Sequence, residues 1–287
     1  MDSRDMQTLH HIQALREQLK ALRRAGQTIG LVPTMGNLHA GHIELLHQAR
    51  RHADVVVATI FVNPLQFGPN EDLDSYPRTL EADQNKLAAA GCDVLFAPSE
   101  AEMYPNGRDA QTVVEVQDLS GMHCGSTRPG HFRGVTTVVS KLFGIVQPDS
   151  AFFGCKDYQQ LLIIRRMVAD LCMPIDIHGV PIVRDGHQLA LSSRNGYLSP
   201  SERKVAPTLN RVLRDTAQAI QNGRRDYDQL TSQALAELEN AGFRGDFMRI
   251  VRRSDLQPAG DSDQQLVILS AAYLGAARLI DNLEVDI

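Results

Sequence analysis

The run Val55-Val56-Val57-Ala58-Thr59-Ile60-Phe61-Val62 restricts the fold of this chain more than any other stretch. It is continuously apolar, rich in β-branched residues and far too short to span a bilayer, so it reads as a buried strand. Its flanks set the architecture. Residues 7–25 carry Leu9, Ile12, Leu15, Leu19 and Leu22 at helical spacing, and Thr28 to Pro33 is a short apolar run suited to a first buried strand. Residues 40–52 and 79–90 are expected to be helices, the second stopping at Gly91, and Val94 to Phe96 is expected as a third strand. Strand, helix, strand, helix, strand predicts an α/β fold with a Rossmann-like parallel sheet and right-handed crossovers.

Farther along, residues 98–130 are rich in Gly, Pro and polar groups and are expected to be loop with one strand at Thr112 to Val116. A helix at Val135 to Val146, a strand at Ala151 to Phe153, a helix from Tyr158 to Leu171 and a strand at Ile175 to Val183 continue the pattern. After Ser193 the character changes. Pro200 opens a helix to about Gln221, residues 227–241 form another, and strands are expected at 247–251, 266–270 and 276–280. The expected division is a Rossmann-like domain at 1–183 and a smaller α+β domain at 184–287, with the boundary near 181–190.

Composition narrows the classes. The 287 residues carry 34 acidic and 29 basic groups, a net charge of −5, which gives no sign of a nucleic-acid surface. Cys92, Cys124, Cys155 and Cys172 form no CxxC pair and match no common zinc spacing, which points to reduced thiols in the cytoplasm. The opening MDSRDMQTLHHIQ has no apolar core and does not read as a signal peptide.

Four strings carry chemistry. The first follows the first strand: Pro33-Thr34-Met35-Gly36-Asn37-Leu38-His39-Ala40-Gly41-His42. Ligands of an open parallel sheet bind beyond the carboxyl ends of strands, and a helix start there presents free N–H groups suited to phosphate. His39 and His42 are three apart and can face one side of a first helical turn, donating to a triphosphate as charge moves onto pyrophosphate. The same spacing also occurs in surface pairs, and a metal site is conceivable although no third ligand stands out. His39-Ala40-Gly41-His42 resembles the H-x-G-H signature of the nucleotidyltransferase superfamily, which includes class I aminoacyl-tRNA synthetases. The longer string resembles the pantothenate synthetase family more specifically.

The second string, Val62-Asn63-Pro64-Leu65-Gln66-Phe67-Gly68, leaves the strand at Val55 to Val62 and by itself reads equally as a turn. Neutral amides there can hold a hydroxyl or carboxylate without adding charge. The resemblance assigns Asn63 and Gln66 to pantoate. The third, Phe152-Phe153-Gly154-Cys155-Lys156-Asp157-Tyr158-Gln159-Gln160, places a lysine by a helix start, with Asp157 suited to an N-cap. It resembles the family's F-F-G-E-K-D-Y-Q-Q. The resemblance implies that Gly154, Cys155, Lys156 and Asp157 contact ATP and that Gln160 contacts pantoate; Cys155 departs from the family's Glu.

The fourth string, Leu189-Ala190-Leu191-Ser192-Ser193-Arg194-Asn195-Gly196-Tyr197-Leu198, combines hydroxyls and a guanidinium in a loop. It resembles the family's mobile ATP loop, implying nucleotide contacts from Leu191, Ser192, Ser193 and Arg194. Upstream, Val183 would contact adenine, while Asp185-Gly186-His187-Gln188 departs from the usual turn.

The resemblance thus implies a ligase joining pantoate to β-alanine through pantoyl adenylate, with release of AMP and pyrophosphate, in the supply of pantothenate to coenzyme A. It implies ATP with Mg²⁺ held mainly by the phosphates, His42, His39 and Lys156 as catalytic groups, Met35 to His42 along the nucleotide, no membrane or nucleic-acid partner, and a homodimer. Two other readings stay open on sequence alone: a different H-x-G-H adenylyltransferase, and a nucleotide-binding protein without turnover.

Overall fold

A computed structural model describes residues 6–69 and 71–287. The elements run β1 (Gln7–Leu9), α1 (Ile12–Arg24), β2 (Ile29–Thr34), α2 (Ala40–His52), β3 (Val55–Ile60), α3 (Leu80–Ala89), β4 (Val94–Phe96), α4 (Glu100–Met103), α5 (Cys124–Thr127), α6 (His131–Val146), β5 (Ser150–Gly154), α7 (Tyr158–Asp170), β6 (Asp176–Val180), α8 (Pro200–Val205), α9 (Thr208–Gln221), α10 (Tyr227–Asn240), β7 (Arg244–Arg252), β8 (Gln265–Leu274) and β9 (Ala277–Asp286). The chain divides into two compact units, Met1–Cys155 with Gln160–Pro181, and Lys156–Gln159 with Ile182–Ile287.

In the first unit, six strands among the described residues form a parallel sheet in the order β1-β4-β3-β2-β5-β6. Val32, Val56, Ala58, Leu95 and Phe152 are buried in one core with Leu46, Ala49 and Leu87 of α2 and α3. From β2 the chain builds β3 and β4 to one side, then crosses to β5 on the other. The order therefore reverses at β2, and the switch point lies between β2 and β5. The pairing there is short: β2 pairs with β3 from Ile29 through Thr34, but with β5 only at Gly30 and Leu31. Beyond Leu31 the carboxyl ends of β2 and β5 are no longer joined by a ladder, the usual setting of a ligand crevice.

The second unit packs α9 and α10 against an antiparallel sheet, β7-β8-β9. Leu209, Val212, Leu213 and Ile220 line the inward face of α9 at helical spacing and meet Leu238, Met248, Ile268 and Val285 in one core. Ser199 and Glu202 form a reciprocal cap on α8, with Pro200 at its first turn.

Several expectations are corrected. Residues 7–9 are not helical: they form an edge strand on β4, and the helix starts only at Ile12, whose N–H donates to the Glu102 carboxylate at 2.8 Å. The open edge of β4 offers a complete ladder, which outweighs local periodicity. Thr112 to Val116 forms no strand; the Val114 N–H donates to Thr137 Oγ1 at 3.1 Å and its carbonyl accepts from the Thr136 hydroxyl. Those α6 side chains replace a neighbouring strand. The expected helix 200–221 is two helices, interrupted at Ala206 and Pro207, since proline cannot donate to the ladder of a continuous helix. No described helix is long and apolar enough to cross a membrane. Among the described residues the cysteines form no disulfide with one another, and burial pushes the Cys92 thiol up to about 12.

Candidate active site

Met35 to His42 leave the carboxyl end of β2 and enter α2. Gly36 has φ +82° and a β-carbon there would approach Asp83 Oδ2 and Ile60 to 3.2 Å, so the turn suits glycine. Asp83 of α3 is fully buried and clamps this turn. Its Oδ2 accepts the Asn37 N–H at 2.8 Å and the Thr79 hydroxyl at 3.0 Å, and its Oδ1 accepts the Leu38 N–H at 2.8 Å. Lys86 Nζ, 4.0 Å from that carboxylate, donates to the Leu38 carbonyl at 2.7 Å.

His39 is the N-cap of α2 and His42 its third residue, with ring centroids 4.1 Å apart. His39 Nδ1 accepts the Gly41 N–H at 3.1 Å, and His42 Nδ1 accepts the His39 N–H at 3.2 Å. A backbone amide can only donate, so both Nδ1 atoms are acceptors and each neutral ring carries its proton on Nε2. The cap thus fixes the tautomer in which Nε2–H is the donor, the form suited to an anion at the helix start.

Asn63 follows β3 and opens a 3-10 turn, Pro64–Gln66. Asn63 is 1% exposed, and its amide is fully used. Nδ2 donates to Gln66 Oε1 and to the Gly134 carbonyl, both at 3.1 Å; Oδ1 accepts from Tyr104 Oη at 2.7 Å and from the Leu65 N–H at 3.4 Å. Burial, then the charge of Glu100, raises the Tyr104 phenol far above its ordinary value, so it keeps its proton. Gln66 Nε2 sits 3.2 Å from Met35 Sδ. The string RPGHFRG, from Arg128, braces the same turn. His131 Nδ1 donates to the Gln66 carbonyl at 2.8 Å, and Arg128 is paired with Glu71 at 2.5 Å. A β-carbon on Gly134 would meet the Leu65 carbonyl oxygen at 2.2 Å, so only glycine lets α6 lie this close to the turn.

Gly154 ends β5, and Cys155 packs its side chain over Gly179 of β6. Gln160 lies in the first turns of α7. In the first unit, therefore, Met35 to His42, Asn63, Gln66, Gly154 and Cys155 lie at or just beyond the carboxyl ends of the three adjacent strands β2, β3 and β5.

Lys156, Asp157, Val183, Leu191, Ser192, Ser193 and Arg194 belong to the second unit. Lys156 Nζ lies 3.8 Å from Asp157 Oδ2, and the Lys156 carbonyl accepts from Asn282 Nδ2 at 2.9 Å. Lys156, Ser192, Asn195, Asn210 and Asp281 line one small pocket. Ser192 caps a 3-10 turn, Ser193–Tyr197, accepting the Arg194 N–H at 3.2 Å. The unusual stretch 185–188 closes as a tight turn. Asp185 Oδ1 accepts the N–H groups of His187 and Leu189 at 2.9 and 3.0 Å, and the Leu191 N–H reaches the Val183 carbonyl at 3.0 Å. Arg184 grips the buried Asp281 through two bonds of 2.7 and 2.8 Å.

A family model described as pantoate-beta-alanine ligase matches residues 7–284. The chain belongs to the pantoate–β-alanine ligase family. A pantothenate synthetase of Saccharophagus degradans is 55% identical to it over 98% of this chain and 99% of that one. Among solved structures, pantothenate synthetase from Thermus thermophilus superposes with a TM-score of 0.89 at 48% identity, covering 98% of this chain and 100% of that one. The pantoate-beta-alanine ligase of Francisella tularensis, complexed with beta-gamma ATP and beta-alanine, matches at a TM-score of 0.80 and 35% identity over 97% of each chain. Sequence reasoning missed Asp83 and Tyr104; the string from Arg128 resembles the family in the sequence but was given no site role there, and in the structure Arg128, His131 and Gly134 brace the Gln66 turn. Only the glycine inside the α6 sequence signalled a close approach.

Proposed function

We propose that the ATP-dependent condensation of pantoate with β-alanine, the reaction of this ligase family, proceeds here through a pantoyl adenylate on the residues named above. The pantoate carboxylate attacks the α-phosphorus of ATP, the bond to the β-phosphate oxygen breaks, and pyrophosphate leaves. The free amine of β-alanine then attacks the activated carbonyl, AMP departs, and the nitrogen loses a proton to give the amide. No covalent bond to the protein is needed, so the chain acts by positioning and charge stabilisation.

The observation that carries this reading is the pair of imidazoles held as Nε2–H donors at the start of α2, beside the β2–β5 switch point. In the proposal His42 and His39 donate to the phosphates as charge moves onto pyrophosphate, and Lys156 neutralises the same charge. Met35, Gly36, Asn37, Leu38, Ala40, Gly41, Gly154, Cys155 and Asp157 border the nucleotide; Leu191, Ser192, Ser193 and Arg194 take its phosphates and Val183 its adenine. Pantoate and β-alanine lie by Asn63, Gln66 and Gln160, with the amides of Gln66 and Gln160 turned to them. The first unit acts as the main ATP- and pantoate-binding domain and the second as a lid, close to the 1–183 and 184–287 division expected from sequence.

Mg²⁺ enters with ATP in this proposal, held mainly by phosphate oxygens, as is usual for this ion. Among the described residues no group of three or more His, Cys, Asp or Glu forms a metal cage, and no step above runs through the ion. We further propose a cytoplasmic homodimer, the first part supported by four cysteines that form no disulfide with one another. The direct test is AMP formation with ATP, pantoate and β-alanine, each omitted in turn. AMP should accumulate only with all three; sustained AMP release without β-alanine, or amide formed without AMP, would defeat the two-step assignment.

A further inference from the structure

The amide of Gln66 has a fixed polarity, set by groups that cannot change theirs. The Leu65 N–H can only donate and the Gly134 carbonyl can only accept, so Asn63 has one orientation: oxygen toward Leu65 and Tyr104, nitrogen toward Gly134 and Gln66. Asn63 Nδ2 then requires an acceptor from Gln66, which must turn Oε1 toward it at 3.1 Å. Gln66 Nε2 is left pointing at Met35 Sδ, a weak acceptor that a ligand oxygen displaces at little cost.

We propose that Tyr104 is a positioning residue that acts through Asn63 to make Gln66 present N–H donors, and so to select the oxygen acceptors of the hydroxy acid. This rests on the reading that Gln66 contacts pantoate. It gives Asn63 a different part from direct contact, because its two donors and two acceptors are already engaged inside the protein. Tyr104 is 3% exposed, and its hydroxyl makes the shortest of the four bonds, so removing that hydroxyl leaves Asn63 Oδ1 with only the 3.4 Å contact from Leu65. The Leu65 N–H and the Gly134 carbonyl still set the polarity, but the Asn63 amide, and with it the Gln66 amide, is then held less firmly in that orientation.

The test compares steady-state kinetics of the full chain, Tyr104→Phe, Gln66→Ala and the double variant, varying pantoate and ATP separately. Gln66→Ala should raise the KM for pantoate; no change there would defeat the reading of Gln66 itself. Given that rise, Tyr104→Phe should raise the same KM by about tenfold, the usual scale for one lost buried hydrogen bond, with the KM for ATP unchanged. The double variant should be no worse than Gln66→Ala alone, since the relay ends at that amide. A pantoate KM unmoved by Tyr104→Phe, or effects of the two substitutions that multiply, would overturn the inference. Asn63→Asp is a second probe: it sets an oxygen against the Gly134 carbonyl and should raise the pantoate KM further than Tyr104→Phe. A smaller effect than that of Tyr104→Phe would count against the relay.

Discussion

The Nδ1 atom of His42 accepts the backbone N–H of His39 at 3.2 Å, which ties the tautomer of a proposed catalytic ring to the cap of its own helix. One bond therefore has a structural and a chemical consequence, and they can be separated. His42→Ala should slow adenylate formation by about 10² or more, the typical cost of losing one transition-state donor. The loss of the cap should lower stability by only about 1 kcal/mol. Single-turnover formation of pantoyl adenylate and a urea titration of the same variant measure the two effects. A rate loss no larger than the stability change explains would remove His42 from the chemistry.

Asp83 accepts two adjacent backbone N–H groups from the turn that precedes His39. Asp83→Asn keeps one acceptor and sets an NH₂ group against the other N–H. A buried polar mismatch of this kind costs about 1–3 kcal/mol. The expected outcome is a lower unfolding midpoint together with a raised KM for ATP. A stability loss with unchanged ATP kinetics would show that the clamp serves the fold alone.

In the second unit, Arg184 pairs through two bonds with Asp281, whose side chain is 2% exposed. Arg184→Ala would strand a buried carboxylate, so it should destabilise the chain by about 3–5 kcal/mol. Arg184→Lys should recover only part of this, because an ammonium cannot reproduce the two-pronged bond. Chemical denaturation of the two variants checks the order.

His178 stacks on Phe152 at 4.7 Å and lies 4.6 Å from His52. Burial, then the neighbouring His52 charge, holds its imidazole below the ordinary 6.5, with Asp176 opposing. The folded state therefore binds fewer protons at this site than the unfolded chain. Its contribution to stability is full above about pH 6.5 and falls as the pH drops from there toward the lowered folded value. Unfolding midpoints measured from pH 7.5 to 5 should fall more steeply for the native chain than for His178→Phe. Parallel curves would exclude this group as a source of the pH dependence.

How far the sequence could be read depended on how local each cause was. Strands β2, β3 and β4 and helices α2 and α3 were legible because their apolar pattern and end signals lie within each segment. The placing of Met35 to His42 and Asn63 at strand carboxyl ends followed from the same pattern. Strand β1 was not legible, because Gln7–Leu9 is extended only through the open edge of β4, far along the chain. Asp83 and Tyr104 were hidden for the same reason: their partners Asn37 and Asn63 are 46 and 41 residues away. Nothing in the local sequence marks such a bond, whereas a helix cap such as Ser199 with Glu202 spans three residues and announces itself.

In the proposed reaction, imidazole Nε2–H groups at the start of α2 drive attack of a carboxylate on ATP. Exchange of labelled pyrophosphate into ATP, without β-alanine, isolates that half-reaction. The native chain should show exchange that depends on pantoate, and His42→Ala and Lys156→Ala should each lower it by about 10² or more. Exchange that proceeds without pantoate, or at the native rate in both variants, would contradict the account.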